Sequence, residues 1–417
     1  MSIAEATDAR QSLIDFGRRA KAFLDANVPK LSDVAQDDLA GEARGPETIK
    51  REQALQATIY DAGFGALTFP KEYGGQGLTE AHQIVWQSLV GDYAVPRTAF
   101  AVSHGMCGPI INLLGTDAQK RKYLPALWRG DTIFAQMFSE PGAGSDVAGL
   151  QTRAEKVDGG WKMTGQKVWT TNAQYCDYGV IIARTNPDVP KHSGMTMFII
   201  NLRDPAVDVR PLRVGSGDRP FNEIFIDGLF IPDEDRLSEV DKGWDAAVAM
   251  LRFERISIGT SNTKTVGPLS VEKLIEAARE AGLSSDPAAR RALAEAHVLE
   301  KGTDLLALRM REEAESGIEL GPRGSIAKLA GAQANWRLTE IVSDIEGLAL
   351  VAFADSGDAG GLDYPAITKA VTAAPSSWTA GGTIEIQQGI VGDRVLLLEK
   401  DPSLDKGIPF REIRRSR

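Results

Sequence analysis

A glycine-rich segment between two apolar runs, within residues 134–172, constrains the fold of this chain most strongly. It begins FAQMFSEPGAGSDVAGL, and the stretch ends in GQKVWTTN. Glycine reaches backbone conformations that are closed to other residues and lets a ligand approach the main chain closely. The second half is rich in β-branched and aromatic residues, which is typical of strands. A loop beside the aromatic and hydroxyl cluster at Trp169 suits a flat polar ring system with phosphate nearby.

Composition and charge limit the class of protein. The chain has 417 residues, of which 43% are hydrophobic and 25% charged, and a net charge of −10. This length predicts roughly two or three domains, and the negative charge argues against nucleic acid as the main partner. No apolar run approaches the roughly 20 residues that span a bilayer, and the N-terminus lacks the pattern of a secretory signal. We therefore expect a cytoplasmic protein without a membrane span.

The cysteines and histidines offer little for metal or nucleophilic chemistry. The two cysteines, Cys107 and Cys176, fit no metal or redox spacing, so we expect small buried residues. The four histidines are scattered without paired ligand spacing: His82, His104, His192 and His297. We expect no metal, and an enzyme built on this chain would rely on a carboxylate or a cofactor.

Local patterns predict three parts. Residues 1–130 are helical in pattern, with Thr116 as a helix N-cap and an apolar face near the N-terminus. The members of that face are Leu13, Phe16, Ala20, Phe23 and Leu24. Residues 131–242 alternate strand-like runs with turns, which predicts a small barrel or sandwich.

Residues 243–417 return to long apolar-striped helices, which predict a four-helix bundle. The predicted helices cover 244–282, 286–317, 324–354 and 384–398, and Asp286 is the expected N-cap of the second. The tail after residue 398 is polar, so we expect it to be exposed.

The segments MFSEPGAGSD and GQKVWTTN, in this order and spacing, resemble the flavin-binding signature of the acyl-CoA dehydrogenase family. The resemblance continues through FPKEYGGQGLT, GTDAQKRKYLPAL and FNEIFIDGLFIPDED, and so covers nearly the whole chain. It implies an α+β fold with a helical N-terminal domain, a barrel-like middle domain and a C-terminal four-helix bundle, with FAD as cofactor. Without the resemblance, the same residues could form a glycine-rich turn region beside a buried tryptophan.

The resemblance also implies contacts for individual residues. It places Phe138, Ser139, Gly144 and Ser145 along the flavin and the pantetheine edge of the substrate. It places Trp169 and Thr171 over the flavin near N5. Thr383 and Glu385 match positions that reach the nucleotide end of FAD, although Glu385 could equally be an ordinary acid at a helix N-terminus.

The family reaction needs a carboxylate that takes the α-proton of an acyl-CoA thioester. Many members carry this Glu just before the Gly-Thr of an E-G-T-x-x-I-Q motif, where this chain has Gly381. A second branch, which includes isovaleryl- and long-chain-type enzymes, carries it before an Arg on the first C-terminal helix, and Phe253-Glu254-Arg255 matches that pattern. The resemblance therefore implies Glu254 as base and the Gly381 backbone N–H as donor to the thioester carbonyl, and we expect Arg255 to order the helix or the substrate pocket rather than to take part in the chemistry. A Glu-Arg pair on a helix is otherwise commonly a salt bridge.

Two family segments are missing from the chain. The Arg-x-x-Phe-Gly segment, whose Arg reaches FAD of a neighbouring subunit, is replaced by SSDPAARRALAEAHVLE, which resembles a bacterial subgroup acting on bulky or steroid side-chain acyl-CoAs. The Gly-Gly-x-Gly-Tyr signal is not recognisable in GDAGGLDYPAITKAVTAAPSSW. Some members of this subgroup pair two unlike subunits. We therefore expect either a homo-oligomer or a hetero-oligomer, and either a dimer or a tetramer.

Three functions follow from the resemblance. The leading one is FAD-dependent α,β-dehydrogenation of an acyl-CoA to a trans-2-enoyl-CoA in fatty acid β-oxidation or in lipid or steroid degradation, with an electron-transfer flavoprotein as acceptor. The first alternative is a flavin-holding or structural, non-catalytic subunit of a heteromeric dehydrogenase. The second is an acyl-CoA oxidase, in which oxygen reaches the reduced flavin.

Overall fold

The computed structural model describes most of the chain in two units. The described residues are 3–34, 45–96, 98–215, 219–259, 268–316, 318, 321–347, 350, 364–400, 402 and 405–413. The first unit takes the described residues of Met1–Val214, Asp218–Ser257 and Pro402–Arg417, and the second takes those of Gly215–Gly217 and Ile258–Asp401. Within the described ranges, no helix is both long and apolar enough to cross a membrane.

The first unit begins with helices that each bury one apolar face. Their bounds are α1 Ile3–Asn27, α2 Pro46–Asp61, α3 Glu80–Val90, α4 Gly108–Leu114 and α5 Asp117–Arg129. On α1, Phe16, Ala20 and Leu24 are buried, as their spacing of four residues predicts. Thr116 caps α5 and exchanges hydrogen bonds with Gln119 in a capping box. The predicted helical N-terminal domain is thus confirmed.

A seven-stranded sheet follows the helices. Its strands are β1 Phe134–Met137, β2 Arg153–Val157, β3 Gly160–Thr171, β4 Tyr178–Arg184, β5 Met195–Asn201, β6 Val207–Leu212 and β7 Phe221–Pro232. The order is β1-β4-β2-β3-β7-β6, and β5 pairs with β4. The β1–β4 pair is parallel and the β3–β7 pair antiparallel. The β-rich middle domain is confirmed, and the glycine-rich loop lies between β1 and β2.

Helix α6, Gly243–Gly259, follows the sheet and belongs to the first unit up to Ser257. The second unit contains α7 Val271–Glu280, α8 Pro287–Glu315, α9 Gly324–Glu346, α10 Tyr364–Ala373, α11 Ser376–Thr379 and α12 Ile384–Arg394. Its core includes Leu274, Leu338 and Ile341. Asp286 Oδ2 accepts a 2.7 Å hydrogen bond from Ala289 N, so Asp286 caps α8 as predicted. The helical character of the C-terminal domain is confirmed.

The prediction of one helix over residues 244–282 was wrong. Helix α6 ends at Gly259 and α7 begins at Val271, and the described residues 268–270 form a turn. Pro268 has no backbone N–H to continue a helix. Ser270 then has an extended backbone and starts α7. The apolar stripes on both sides have the same period, which concealed the break between them.

The two cysteines are buried, as predicted. Burial raises the pKa of both the Cys107 and the Cys176 thiol. Because the thiolate is the reactive form of cysteine, this environment disfavours nucleophilic chemistry at either residue.

The C-terminal tail from Pro402 onward belongs to the first unit and packs within it, so the prediction that the tail is exposed was wrong for Phe410. This side chain is 7% exposed, and the Arg184 guanidinium lies 3.8 Å from its ring centroid. The Phe410 backbone N–H donates to Val189 O at 2.9 Å, and Pro409 forms a β-bridge with Pro190. A single aromatic residue among polar ones has no periodic pattern, and its partner is far away in the sequence.

Phe410→Ala should lower the free energy of unfolding by about 3 kcal/mol, because a buried ring and its cation–π contact are lost together. Urea unfolding followed by tryptophan fluorescence measures the change. The matched control is Ile408→Ala, since Ile408 lies in the same tail but is 36% exposed. Its effect should be below about 1 kcal/mol, and equal effects of the two changes would contradict a specific role of Phe410.

Candidate functional site

The glycine-rich loop is closed at its base by one carboxylate. Glu140 is 7% exposed. Its Oε2 accepts a hydrogen bond from Gln151 N at 2.6 Å, and its Oε1 accepts one from Thr152 N at 3.0 Å. Glu140 and Ala143 also exchange two backbone hydrogen bonds of 3.0 Å. The segment from 140 to 152 is therefore a loop with a fixed base.

The tip of this loop lies at the surface. Gly142, Gly144 and Ser145 are exposed. A Cβ atom added to Gly142 or Gly144 would meet no other atom within 4 Å. The space in front of these two glycines is thus open to a ligand, as the sequence predicts for a close backbone approach.

The buried Lys167 joins the loop to strand β3. Its side chain has no solvent exposure, and Nζ donates to Glu140 Oε1 at 2.8 Å and to Phe138 O at 3.0 Å. Next to it, Val168 N donates to Ser139 O at 3.0 Å. Phe138, a predicted flavin contact, places its ring in the hydrophobic core and its carbonyl on Lys167. The two halves of the predicted flavin signature are therefore linked through a buried ion pair.

The environment keeps the Glu140 carboxylate charged. Burial by itself would raise the pKa of this group, but the Lys167 charge and the hydrogen bonds from Thr152 and Gln151 outweigh burial and hold the pKa below its usual value. A carboxyl pKa lowered on folding stabilises the protein above the unfolded pKa. That contribution disappears as the pH falls through the lower, folded value.

Trp169 projects from β3 on a strained backbone. Its φ is 61°, a left-handed conformation that bulky residues rarely adopt. The register between β3 and β7 shifts between Lys167 and Thr170, which brackets this residue. The side chain is 58% exposed and contacts Phe221 edge-on, with ring centroids 5.9 Å apart. A large aromatic residue held out of a sheet at a steric cost is typical of a functional site.

Two threonines follow Trp169 at the end of β3. The predicted flavin contact, Thr171, is half-buried. Thr170 is buried, and its Oγ1 has no hydrogen-bond partner, while its carbonyl accepts from Asn222 Nδ2 at 3.0 Å. An unpaired buried hydroxyl costs free energy. The end of β3 therefore combines two unfavourable features, the strained backbone of Trp169 and the unpaired hydroxyl of Thr170.

Glu254 reaches the strand that leads into the loop. Gln136 Nε2, on β1, donates to Glu254 Oε2 at 3.3 Å, and both side chains are half-buried. Helix α6 is held there because Ala247 and Met250 are buried in the same core as Phe138. The predicted base and the glycine-rich loop thus belong to one unit. The side chain of Arg255 lies outside the described residues.

Gly381, Thr383 and Glu385 lie in the second unit, where α12 begins. Gly381 and Gly382 have φ values of 66° and 85°, which favour glycine. Gln387 Nε2 donates to Gly381 O at 2.8 Å and so fixes this turn. Gly381 has no side chain to act as a base, and the location of the base at Glu254 stays a prediction.

Thr383 and Glu385 have local structural roles. Thr383 Oγ1 accepts from Ile386 N at 3.3 Å and caps α12. Glu385 is exposed in the first turn, where its own backbone N–H and then Thr383 lower the pKa of its carboxyl. Their contacts with the nucleotide end of FAD stay predictions.

Substitution of Thr383 tests its role as the cap of α12. Thr383→Ala should raise the exchange rate of the Ile386 amide proton and destabilise α12 by about 1 kcal/mol. Thr383→Ser keeps the capping hydroxyl and should restore both values. Amide hydrogen exchange of the FAD-free protein measures the cap, and an unchanged Ile386 amide in the alanine variant would contradict it.

Three positioning contacts were not predicted from the sequence. They are Gln136 to Glu254, Lys167 to Glu140, and Gln387 to the Gly381 carbonyl. Lys167 and Glu140 both stand within the two signature segments, and a charged residue in a strand-like run was an available signal. The pairing itself joins residues 27 positions apart, so the local sequence does not reveal it.

Comparisons with known proteins identify the family and the fold. Three family models match the chain: the acyl-CoA dehydrogenase N-terminal domain at residues 16–131, the middle domain at 135–229 and the C-terminal domain at 241–396. Acyl-CoA dehydrogenase FadE34 of Mycobacterium tuberculosis is 33% identical over 92% of this chain and 52% of its own length. Acyl-CoA dehydrogenase IpdE1 of the same organism is 29% identical over 94% of this chain and 99% of its own length. The chain thus spans about half of the first relative and nearly all of the second.

A solved structure shares the fold. The structure titled Tcur3481-Tcur3483 steroid ACAD superimposes with a TM-score of 0.77 at 24% identity, covering 94% of this chain and 98% of that one. At this identity the likeness concerns the fold. The family models follow one another along the chain from residue 16 to residue 396. The chain therefore belongs to the acyl-CoA dehydrogenase family.

Proposed function

We propose that this chain binds FAD and dehydrogenates an acyl-CoA thioester to a trans-2-enoyl-CoA, with Glu254 as the base. The main support for this proposal is one hydrogen bond. Gln136 Nε2 on β1 donates to the Glu254 carboxylate, and β1 leads directly into the exposed glycine-rich loop. Family membership and the names of the two relatives, both acyl-CoA dehydrogenases, support the same activity.

The described residues of the first unit fit a flavin. The open space at Gly142 and Gly144 would admit a ligand to the loop backbone. Trp169 offers an exposed flat face, and its strained backbone is explained if the ring has a ligand to cover. The Thr171 hydroxyl would serve as a donor at the polar edge of that ligand. Bound FAD would supply the acceptor for the hydride that leaves the substrate β-carbon.

Glu254 would take the proton from the α-carbon of the thioester. This proton is weakly acidic, so the base must be fixed within hydrogen-bond reach and shielded from water. The half-buried position on α6 provides shielding, and Gln136 holds one carboxylate oxygen at 3.3 Å. Gln136 would thereby act as a positioning residue, because its side chain donates a hydrogen bond to the base.

The acyl group of the substrate and the electron acceptor can also be proposed. The segment SSDPAARRALAEAHVLE favours a bulky or steroid side-chain acyl group, because it resembles that bacterial subgroup. An electron-transfer flavoprotein would take the electrons. The missing Arg-x-x-Phe-Gly segment favours, as a second candidate, a flavin-holding subunit that needs an unlike partner for activity.

A panel of acyl-CoAs tests the proposal. The full chain, loaded with FAD without oxygen, is mixed with straight-chain, branched and steroid side-chain acyl-CoAs, and loss of the visible flavin absorbance is recorded. Bleaching by one class supports dehydrogenation and identifies the acyl group. Bound flavin that bleaches only after a second subunit is added supports the second candidate. Steady oxygen consumption without another acceptor would identify an oxidase, and a chain that takes up no FAD would overturn the proposal.

A further inference from the structure

The ion pair between Glu140 and Lys167 is not explained by a contribution to the stability of the fold. Both side chains are almost completely buried, at 7% and 0% exposure. Removing two charges from water costs free energy that their attraction often fails to offset, and apolar residues of similar volume often serve the fold equally well or better. The presence of this pair in the core therefore calls for a role beyond general stability.

The contacts of the pair all end on the glycine-rich loop or its flanks. Lys167 holds the Phe138 carbonyl, just before the loop. Glu140 holds the backbone N–H groups of Gln151 and Thr152, where the loop ends. Together the two side chains connect the entry, the exit and the neighbouring strand.

The same pair sets the position of the loop relative to Trp169. Lys167 lies two residues before Trp169 on β3, at the start of the register shift. The adjacent Val168 N donates to Ser139 O at 3.0 Å, so strand and loop entry are bonded side by side. A displacement of Lys167 would move both the loop and the exposed aromatic ring.

We propose that the Glu140–Lys167 pair is a positioning device that holds the glycine-rich loop in its FAD-binding shape before the cofactor binds. This inference rests on the proposed function, because it takes FAD as the ligand of the loop. A loop that is ordered in advance does not lose conformational entropy when the ligand binds, which raises affinity. Neither residue touches reacting atoms, and both act through the loop backbone.

The double variant Glu140→Leu/Lys167→Met separates positioning from stability. Its apolar side chains can fill the core, so the thermal midpoint should fall less than in Glu140→Leu alone, which would leave the Lys167 charge buried and unpaired. The backbone N–H groups of Gln151 and Thr152 lose their acceptor, so their hydrogen exchange in the FAD-free protein should accelerate at least tenfold. FAD should bind about ten- to a hundredfold more weakly, the range expected from losing hydrogen bonds to a charged group.

Two further variants complete the experiment. Glu140→Gln/Lys167→Met returns a carbonyl acceptor to the loop base and should recover part of the amide protection and of the FAD affinity. Lys156→Met is the control, because Lys156 lies on β2 of the same sheet and pairs at 2.7 Å with Asp233, just after β7, but contacts no loop residue among its described bonds. It should leave both quantities within about twofold of the wild type.

The outcomes are distinct. Rapid exchange confined to Gln151, Thr152 and the loop, with weaker FAD binding, supports the inference. Unchanged FAD affinity in the folded leucine variant, or equally rapid exchange throughout β7, would overturn it. If the leucine variant does not fold, the glutamine variant decides by the same criteria. A wild-type chain that binds no FAD would overturn the proposed function and the ligand assignment together, whereas normal FAD binding in the folded variants would overturn this inference alone.

Discussion

Replacing Glu254 by glutamine should leave FAD bound and lower the rate of acyl-CoA dehydrogenation by about three orders of magnitude. Glutamine has nearly the same shape, and its carbonyl oxygen can still accept from Gln136 Nε2, which donates to Glu254 at 3.3 Å. The amide cannot take the α-proton. Positioned general bases contribute about 10²- to 10⁴-fold to a rate, so the loss should appear in kcat with little change in flavin content.

Asp245→Asn is the matched control for this change. Asp245 lies on the same helix, α6, but in its first turn and exposed to solvent. The same loss of one carboxylate should leave the rate within about twofold, since isolated surface charges have small effects. Single-turnover bleaching of the bound flavin by the best acyl-CoA measures both variants. Near-normal bleaching by Glu254→Gln would contradict Glu254 as the base.

Trp161 and Trp169 lie on the same strand. Replacing Trp161 by glycine should lower the stability and leave FAD affinity nearly unchanged, whereas replacing Trp169 should lower FAD affinity and leave the stability nearly unchanged. Trp161 is 3% exposed and donates from Nε1 to Asp233 at 2.8 Å. Trp161→Gly should therefore lower the free energy of unfolding by at least about 3 kcal/mol through the cavity it leaves. FAD affinity of the remaining folded protein should change little, because this ring packs on Phe198 inside the core.

Trp169→Gly should change stability by less than about 1 kcal/mol. The ring is 58% exposed, and glycine accepts the φ of 61° without the cost of about 1–2 kcal/mol that other residues incur there. FAD should bind about tenfold more weakly, because a base-stacking aromatic face contributes about 1–3 kcal/mol. Trp169→Phe keeps an aromatic face and should recover much of the affinity.

Urea unfolding and FAD titration of these variants distinguish a ligand-facing tryptophan from a core one. If Trp169→Gly proved as destabilising as Trp161→Gly, the left-handed conformation would be a packing feature. If both glycine variants kept the wild-type FAD affinity, neither ring would contact the cofactor. In a regular strand positions 161 and 169 would face the same side, so the contrast depends on the register shifts between Met163 and Gly165 and between Lys167 and Thr170.

Much of the architecture could be predicted from local sequence. The apolar period of α1, the capping residues Thr116 and Asp286, and the strands around GQKVWTTN follow from interactions between residues close in the chain. Family membership also followed from the sequence, because the two signature segments occur in a fixed order and spacing. The break between α6 and α7 was missed, since one helical period continues across a proline.

The family, the three-part alternation of helices and strands, and Glu254 rather than Gly381 as the candidate base could all be inferred from the sequence. The long-range side-chain pairs became visible only in the folded chain: Gln136 with Glu254 and Lys167 with Glu140 at the candidate site, and Arg184 with Phe410 at the C-terminal tail. Each of these pairs joins parts of the chain that are distant in the sequence. Burial strengthens such contacts and makes their loss costly, but nothing in the local pattern of either partner identifies the other. The glycine-rich loop is recognisable as a sequence, whereas its shape depends on a lysine buried in the next long strand.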